Sequence, residues 1–174
     1  MTEEKKHSKY IIEPLGKKHN KAEFNCGVHA LDNYLQIQAS QDMKKKVAVT
    51  HVLTLENSVQ VLGYYTLSSI GIVPGELPIE VARKLPRYPT LPGVLLGRLA
   101  RDENFKKAGI GSYLLIDAIK QILNVSNTIG NVAAIVDAKN ENAISFYKSF
   151  GFIEFPDNNR RLFLLLSTIR KLSL

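Results

Sequence analysis

The stretch from Val94 to Leu115 carries the clearest chemical signal in the chain. An apolar run ends near Arg101-Asp102, then come Lys106-Lys107-Ala108-Gly109-Ile110-Gly111-Ser112, and then a helix-period pattern begins. A strand-to-helix turn of this kind leaves the first N–H groups of the helix without intrahelical partners, and the helix dipole adds partial positive charge at the same spot. Glycines let the backbone approach a ligand closely, so the turn suits a phosphate or pyrophosphate, and two lysines beside it reinforce that preference. The spacing is not that of a P-loop, because no Gly-Lys-Ser/Thr follows, and it lacks the three spaced glycines of the dinucleotide fingerprint. Taken by itself, the turn is equally compatible with an ordinary Gly-containing connection between solvated lysines.

The other reactive side chains are scattered. His29 and His51 fall on amphipathic stretches, His7 and His19 in basic surface stretches, and none pairs with a carboxylate at a readable catalytic spacing. Cys26, beside a turn glycine, reads as a small packed residue rather than a nucleophile. No spacing of His, Cys, Asp and Glu suggests a metal site, and no metal is expected. Basic residues cluster at Lys17-Lys18, Lys44-Lys45-Lys46, Arg83-Lys84-x-x-Arg87, Lys106-Lys107 and Arg160-Arg161, contributing to a net charge of +7. Each cluster alone reads as a solvated face. Their sum attracts polyanions, whether nucleic acid, a phosphorylated cofactor or an acidic partner protein, and composition does not choose among these.

The elements that must hold this chemistry are readable from periodicity. The chain has 174 residues, 45% hydrophobic and 22% charged, enough for one domain with a buried core. Met1 to Lys9 form a polar lead-in, and residues 10–174 are expected to make a single domain. Strands are expected at Tyr10 to Leu15, Ala48 to Leu55 and Val61 to Ile70, the last two joined by a hairpin turn at Glu56-Asn57-Ser58. A helix is expected within Val28 to Met43, with Leu31, Leu35 and Ile37 on its apolar face, and a short one at Ile79 to Leu85 between prolines. Val94 to Ala100 and Val132 to Val136 are nearly continuous apolar runs, as in strands covered on both faces, and a helix from Gly109 to Val125 links them in a right-handed crossover. Asn140 is placed to cap a helix carrying Ala143, Tyr147 and Phe150, closed by Gly151, before a last strand from Arg161 to Ser167. The fold class is mixed α/β, with an antiparallel start and a parallel centre. No apolar run reaches the ~20 residues that span a bilayer, the charged N-terminus does not read as a signal peptide, and a single cysteine excludes a disulfide framework. A cytoplasmic location is expected.

The order of these features resembles the GNAT acetyltransferase superfamily. Lys106-x-x-Gly109-x-Gly111 after a strand resembles its Q/R-x-x-G-x-G/A acetyl-CoA motif. Asn142 with Phe146-Tyr147-x-x-x-Gly151-Phe152 resembles its final helix and catalytic-site tyrosine. Further segments are similar to the toxins of GNAT/ribbon-helix-helix toxin–antitoxin pairs: Phe24-x-Cys26-Gly27, Leu31-Asp32-x-Tyr34-Leu35, Ala39-x-Gln41-Asp42, Gly63-Tyr64-Tyr65-Thr66-Leu67, Leu85-Pro86-Arg87-Tyr88-Pro89 and Leu95-Leu96-Gly97-Arg98-Leu99-Ala100. Three positions depart from the pattern. Lys106 stands where Arg or Gln is usual, Lys107 where Gly is frequent, and Arg101 where an apolar residue is usual.

The resemblance implies a GNAT fold whose central sheet has a splayed parallel pair flanked by helices. It implies an enzyme that uses acetyl-CoA to acetylate the α-amine of an aminoacyl-tRNA, blocking translation. By the same resemblance Leu99, Ala100 and Arg101 hold the pantetheine, with a backbone N–H at the thioester oxygen. Lys106, Lys107, Ala108, Gly109, Ile110, Gly111 and Ser112 hold the pyrophosphate, and Asn142 and Phe146 complete the cofactor contacts. Tyr147 is the implied general acid, since a phenol near ~10 can reprotonate a thiolate near ~8.5. The acceptor needs little base catalysis, because an α-amine titrates near ~7.7–8.0 and esterification lowers that further. Arg83, Lys84, Arg87, Arg98, Lys44, Lys45 and Lys46 are the implied tRNA contacts. Tyr64, Tyr65 and Tyr88 either stack on a terminal base or pack in the core. The expected protein partner is a ribbon-helix-helix antitoxin with an acidic tail, and a homodimer is compatible with the pattern. Two alternatives stand beside this reading: a GNAT enzyme for protein or small-molecule amines, and a non-catalytic module binding RNA or a partner.

Overall fold

β-Branched and aromatic residues are common in Tyr10–Pro14, Val49–Leu55 and Gly63–Ile72, whereas leucine carries most of the apolar character of Leu91–Arg101 and Asn158–Leu165. The computed structural model of the protein describes residues 9–106 and 108–172, and the strands within them are β1 Tyr10–Pro14, β2 Val49–Leu55, β3 Gly63–Ile72, β4 Leu91–Arg101, β5 Ala133–Asp137, β6 Ile153–Phe155 and β7 Asn158–Leu165. The sheet order is β1-β2-β3-β4-β5-β7-β6. β1 pairs antiparallel with β2 from Tyr10↔Leu55 to Pro14↔His51. β4 and β5 are parallel, whereas β7 runs antiparallel to both β5 and β6. This is the mixed sheet expected, with β6 as an addition. Its three residues are too few for a periodic signal.

The helices are α1 His29–Asn33, α2 Ala39–Lys44, α3 Ile79–Ala82, α4 Ile110–Val125, α5 Glu141–Ser149 and α6 Leu166–Ile169. The single helix expected within Val28 to Met43 is interrupted, because Tyr34–Gln38 between α1 and α2 form a π-helical turn. The wider turn shifts the helical phase. Tyr34 and Leu35 go inside while Ile37, expected on the apolar face, is 58% exposed. The last apolar segment also differs: β7 begins earlier and ends at Leu165, and Leu166–Ile169 turn into α6.

The described chain divides into two compact units, residues up to Tyr65 with Leu99–Leu115, and Thr66–Arg98 with Ile116 onward. The cuts fall inside β3, β4 and α4 rather than in a linker. The first unit has a core of Leu15, Phe24, Tyr34, Leu35, Ala39, Val52, Val61, Tyr64 and Ala100. The second is built on Ile72, Leu77, Leu91, Ala133, Ile135, Phe155 and Phe163. Within the second unit the β4/β5 register runs from Val94↔Ala134 to Leu96↔Val136 and stops. Gly97 and Arg98 continue β4 without a β5 partner, which is the splay expected of the parallel pair.

Candidate active site

In the first unit, the turn before α4 has the donors that its composition promises. Gly109 has φ 68°, the left-handed region that favours glycine, and nothing lies within 4 Å of where a Cβ would stand. The N–H groups of Gly109, Ile110 and Ser112 have no acceptor among the described residues, while that of Tyr113 donates to the Gly109 carbonyl at 3.1 Å. An open turn whose N–H groups meet no acceptor among the described residues, at the N-terminus of a sixteen-residue helix, fits a pyrophosphate. One expected donor is corrected: Ala108 N–H already donates to the Phe105 carbonyl at 3.2 Å. Lys106 is exposed, with its ammonium 3.8 Å from the Glu103 carboxylate. Lys107 lies outside the described residues.

Two long-range contacts hold this turn, and neither has a signature in the sequence. The Tyr10 hydroxyl on β1 donates to the Ala108 carbonyl at 3.1 Å, and its ring meets Tyr113 edge-on with centroids 5.3 Å apart. On the other side, buried Asp102 accepts from the N–H of Asn104 at 2.9 Å and of Asn25 at 3.1 Å. Glu103 N–H donates to the Asn25 carbonyl at 2.9 Å. These bonds dock the Phe24–Gly27 turn on the strand end that leads into the site. Gly27, at φ 84°, faces the Glu103 carboxylate so closely that a Cβ would collide with it. Gly63 plays a similar part on β3, where a Cβ would crowd Ile110, Leu114 and the Ala100 carbonyl.

The strand end itself alternates little in burial: Ala100 is buried, Leu99 and Arg101 half-buried. Arg101, the residue that replaces an apolar one, has its Nη1 buried without a hydrogen-bond acceptor among the described residues.

In the second unit, Asn140 caps α5 as expected, its side chain accepting from Ala143 N–H at 2.9 Å. The helix leaves Asn142 exposed, half-buries Phe146 and buries Tyr147, whose ring lies 5.4 Å from Phe146 and 5.6 Å from Phe152. Burial, and secondarily the negative charge of Asp137, pushes the Tyr147 hydroxyl up to about 12. Asp137 is gripped by both ends of the Arg161 guanidinium, at 2.8 and 2.9 Å. The Tyr147 hydroxyl is therefore protonated at neutral pH.

Several sequence expectations for the polar residues are corrected. Tyr64 and Tyr65 are fully buried, so neither stacks on a base; Tyr88 is 64% exposed. His19 is not on a basic surface but buried, its ring bonded to Gly16 N–H and Glu13 at 2.9 Å each; His7 lies outside the described residues. Cys26 packs against the first core, its thiol toward the Val28 carbonyl. Of the basic clusters, Lys18 pairs with Glu13 and Arg161 with Asp137. Arg83, Lys84 and Arg87 are exposed around α3 in the second unit, and Lys44, Lys45 and Lys46 are exposed at the end of α2 in the first. None of the six makes an ion pair among the described residues. Arg98 is half-buried on β4. Among the described residues no group of His, Cys, Asp and Glu could hold a metal ion, and no helix is long and apolar enough to cross a membrane.

Known proteins resemble this arrangement along most of the chain. The family model "FR47-like protein" matches residues 69–162, more than half of the sequence. "Probable toxin TacT" of Sinorhizobium fredii is 29% identical over 95% of this chain and 96% of its own. A "tRNA-acetylating toxin" of Mycobacterium tuberculosis is 32% identical over 86% of this chain and 87% of its own. Among solved structures, AtaT complexed with acetyl-methionyl-tRNAfMet superposes with TM-score 0.86 at 32% identity, covering 93% of this chain and 98% of AtaT. A Tyr-to-Phe variant of AtaT, bound to the C-terminus of the antitoxin AtaR and acetyl-CoA, gives 0.77 at 29% identity, covering 93% and 96%.

Proposed function

The chain belongs to the FR47-like, GNAT-type acetyltransferases, and we propose that it works as a toxin of that family, transferring acetyl from acetyl-CoA to the α-amine of an aminoacyl-tRNA. The observation that carries the enzymatic part is the open turn at Gly109, where the N–H groups of Gly109 and Ser112 have no acceptor among the described residues. Those donors take the pyrophosphate of acetyl-CoA. The end of β4, at Leu99 to Arg101, takes the pantetheine and offers an N–H to the thioester oxygen as charge develops on it. Asn142 and Phe146 line the same cofactor, with Lys106 and Lys107 adding positive charge.

The neutral amine attacks the thioester carbonyl, and a C–N bond forms as the C–S bond breaks. The amine's extra proton leaves to water. The sulfur departs as a thiolate and takes the proton of the Tyr147 hydroxyl, which solvent then restores. An acid whose pKa is raised to about 12 is a poor donor in isolation. It remains fully protonated at neutral pH, though, and a charge-assisted hydrogen bond to the thiolate offsets part of the mismatch.

Arg83, Lys84, Arg87, Arg98 and Lys44 to Lys46 supply phosphate contacts to the tRNA. We further propose that this chain takes a protein antitoxin, a reading supported by the AtaT structure bound to the C-terminus of the antitoxin AtaR. We assign that antitoxin to the ribbon-helix-helix type, with an acidic tail on the basic surface, and the pair to the cytoplasm.

The test offers labelled acetyl-CoA together with charged tRNA, uncharged tRNA and free amines. Label found only on charged tRNA, and released with the amino acid, is the expected result. Label on a protein or a free amine instead would move the chain to another acceptor class.

A further inference from the structure

Arg101 ends β4 in the first unit, and the chemistry above uses only its backbone. Its neighbours fix the direction of its side chain. Ala100 belongs to the first core and the Asp102 carboxylate turns to the Asn25 N–H, so on an extended strand the Arg101 side chain leaves by the opposite face. That is the face against which α4 begins. Gly63 on β3, next to the core residue Tyr64, also turns that way, and a Cβ there would lie 2.9 Å from Ile110 and from Leu114. Arg101 is half-buried, its Nη1 has no acceptor among the described residues, and it forms no ion pair among them. A cation in that place is unfavourable twice over, by its lost hydration and by the positive end of the helix dipole. An anion relieves both.

We propose that the Arg101 side chain holds the pyrophosphate of acetyl-CoA, making one anion site with the Gly109 and Ser112 N–H groups at the start of α4. The inference rests on the cofactor reading and deepens it from backbone donors to a side chain. It accounts together for two departures from the family's pattern. The first position of the acetyl-CoA motif, where Arg or Gln is usual, carries Lys106, whose ammonium already has the Glu103 carboxylate 3.8 Å away. Arg101 supplies from the strand end the planar, two-pronged donor that this position lacks. It is a single cation, so the site's long-range pull on anions stays small beside that of the six exposed cations at α2 and α3.

Arg101→Leu restores an apolar residue of the kind usual at this position. Its affinity is measured by calorimetry, with displacement titration for the weakest ligand, for three thioesters. They are acetyl-CoA, acetyl-dephospho-CoA, which lacks the 3′-phosphate, and acetylpantetheine, which carries no phosphate. The variant should bind the first two roughly 10- to 150-fold more weakly than the unaltered protein, the range for one hydrogen bond to a charged group, and the third equally well. Arg101→Lys keeps the charge without the fork and should fall between the two. Without ligand, Arg101→Leu should melt at or above the temperature of the unaltered protein, because an unpaired cation has left a half-buried place, and the rise in Tm produced by acetyl-CoA should shrink. Equal acetyl-CoA affinity of the two proteins overturns the proposal and leaves the cofactor reading standing. A loss that extends to acetylpantetheine overturns it, since Arg101 then acts through the shape of the strand end. A loss confined to acetyl-CoA also overturns it, since the 3′-phosphate is then the partner. An unliganded Arg101→Leu protein that melts lower gives the guanidinium a structural task instead, and the proposal falls. Loss on both phosphorylated thioesters, without acetyl transfer to charged tRNA by the unaltered protein, supports the anion site and refutes only the tRNA-directed reading.

Discussion

Tyr147→Phe removes one oxygen from a side chain that is 7% exposed and whose hydroxyl makes no hydrogen bond among the described residues. The ring keeps its contacts with Phe146 and Phe152. With no protein partner to lose, the hydroxyl can be removed at little cost, so at pH 7 the variant should match the stability of the unaltered protein to within about 1 kcal/mol. The balance shifts at alkaline pH. The folded-state value of about 12 lies above the unfolded value near 10, so this group's contribution is fully present below pH 10 and is lost as pH rises through 12. That loss amounts to about 3 kcal/mol, and the phenylalanine variant escapes it. Urea melts at pH 7.5 and pH 11 should therefore show the variant gaining relative stability at the higher pH. Turnover should fall about 10²–10⁴-fold, equivalent to about 3–5 kcal/mol of barrier, with the acetyl-CoA Kd unchanged. Near-normal turnover at saturating substrates would refute the acid role. A variant destabilised by more than about 1 kcal/mol at pH 7.5 would mean that the hydroxyl has a structural partner, and the argument from its isolation would fail.

Gly109→Pro imposes φ near −65° where the chain needs 68° and deletes a donor, so acetyl-CoA binding by calorimetry should be lost while tRNA binding persists. Tyr10→Phe removes the bond to the Ala108 carbonyl but keeps the edge contact with Tyr113; the KM for acetyl-CoA should rise about 2- to 10-fold at unchanged kcat, the worth of one hydrogen bond. Replacing Arg83, Lys84 and Arg87 together by alanine should lower the log–log salt slope of tRNA binding by about 2–3 and leave acetyl-CoA affinity alone. Expression of the chain without an antitoxin should arrest growth, and Tyr147→Phe should relieve the arrest in plate counts.

The parts of the site that were legible in the sequence are those fixed by local backbone requirements. Gly109 and Gly151 sit at positive φ, and Asn140 at a helix start, because these residue types suit those conformations; each can be read within a few residues. Buried strands announced themselves by continuous apolar runs. The supports of the site were not legible. Tyr10 lies 98 residues from the carbonyl it holds, and Asp102 lies 77 residues from Asn25. Such pairs leave no period, and a lone Tyr on an edge strand looks like any other strand residue. The π turn at Tyr34–Gln38 was hidden for another reason: one inserted residue shifts the helical phase without changing composition, so Ile37 looked like a core position. His19 looked solvated because its neighbours are lysines, yet its burial depends on Glu13 and Gly16 folding back around the ring.

The net charge of +7 also acquires a direction once internal pairs are accounted for. Lys18 is held by Glu13, Lys148 by Glu154 and Arg161 by Asp137, so each of these cations meets a carboxylate of the protein before it meets a ligand. Arg83, Lys84 and Arg87 have no such competitor among the described residues, nor do Lys44, Lys45 and Lys46. A polyanion gains most from cations that give up no existing partner to bind it, so on the proposed function these two clusters, rather than the total charge, draw the tRNA. The proposed pyrophosphate site works on a different principle. Its donors are backbone N–H groups fixed at the start of α4, which gain little from long-range attraction and are screened less by salt. Acetyl-CoA affinity should consequently vary far less with ionic strength than tRNA affinity does. The proposed sites thus give the two substrates two kinds of electrostatics, and titrating salt against both ligands on the unaltered chain separates them without any substitution.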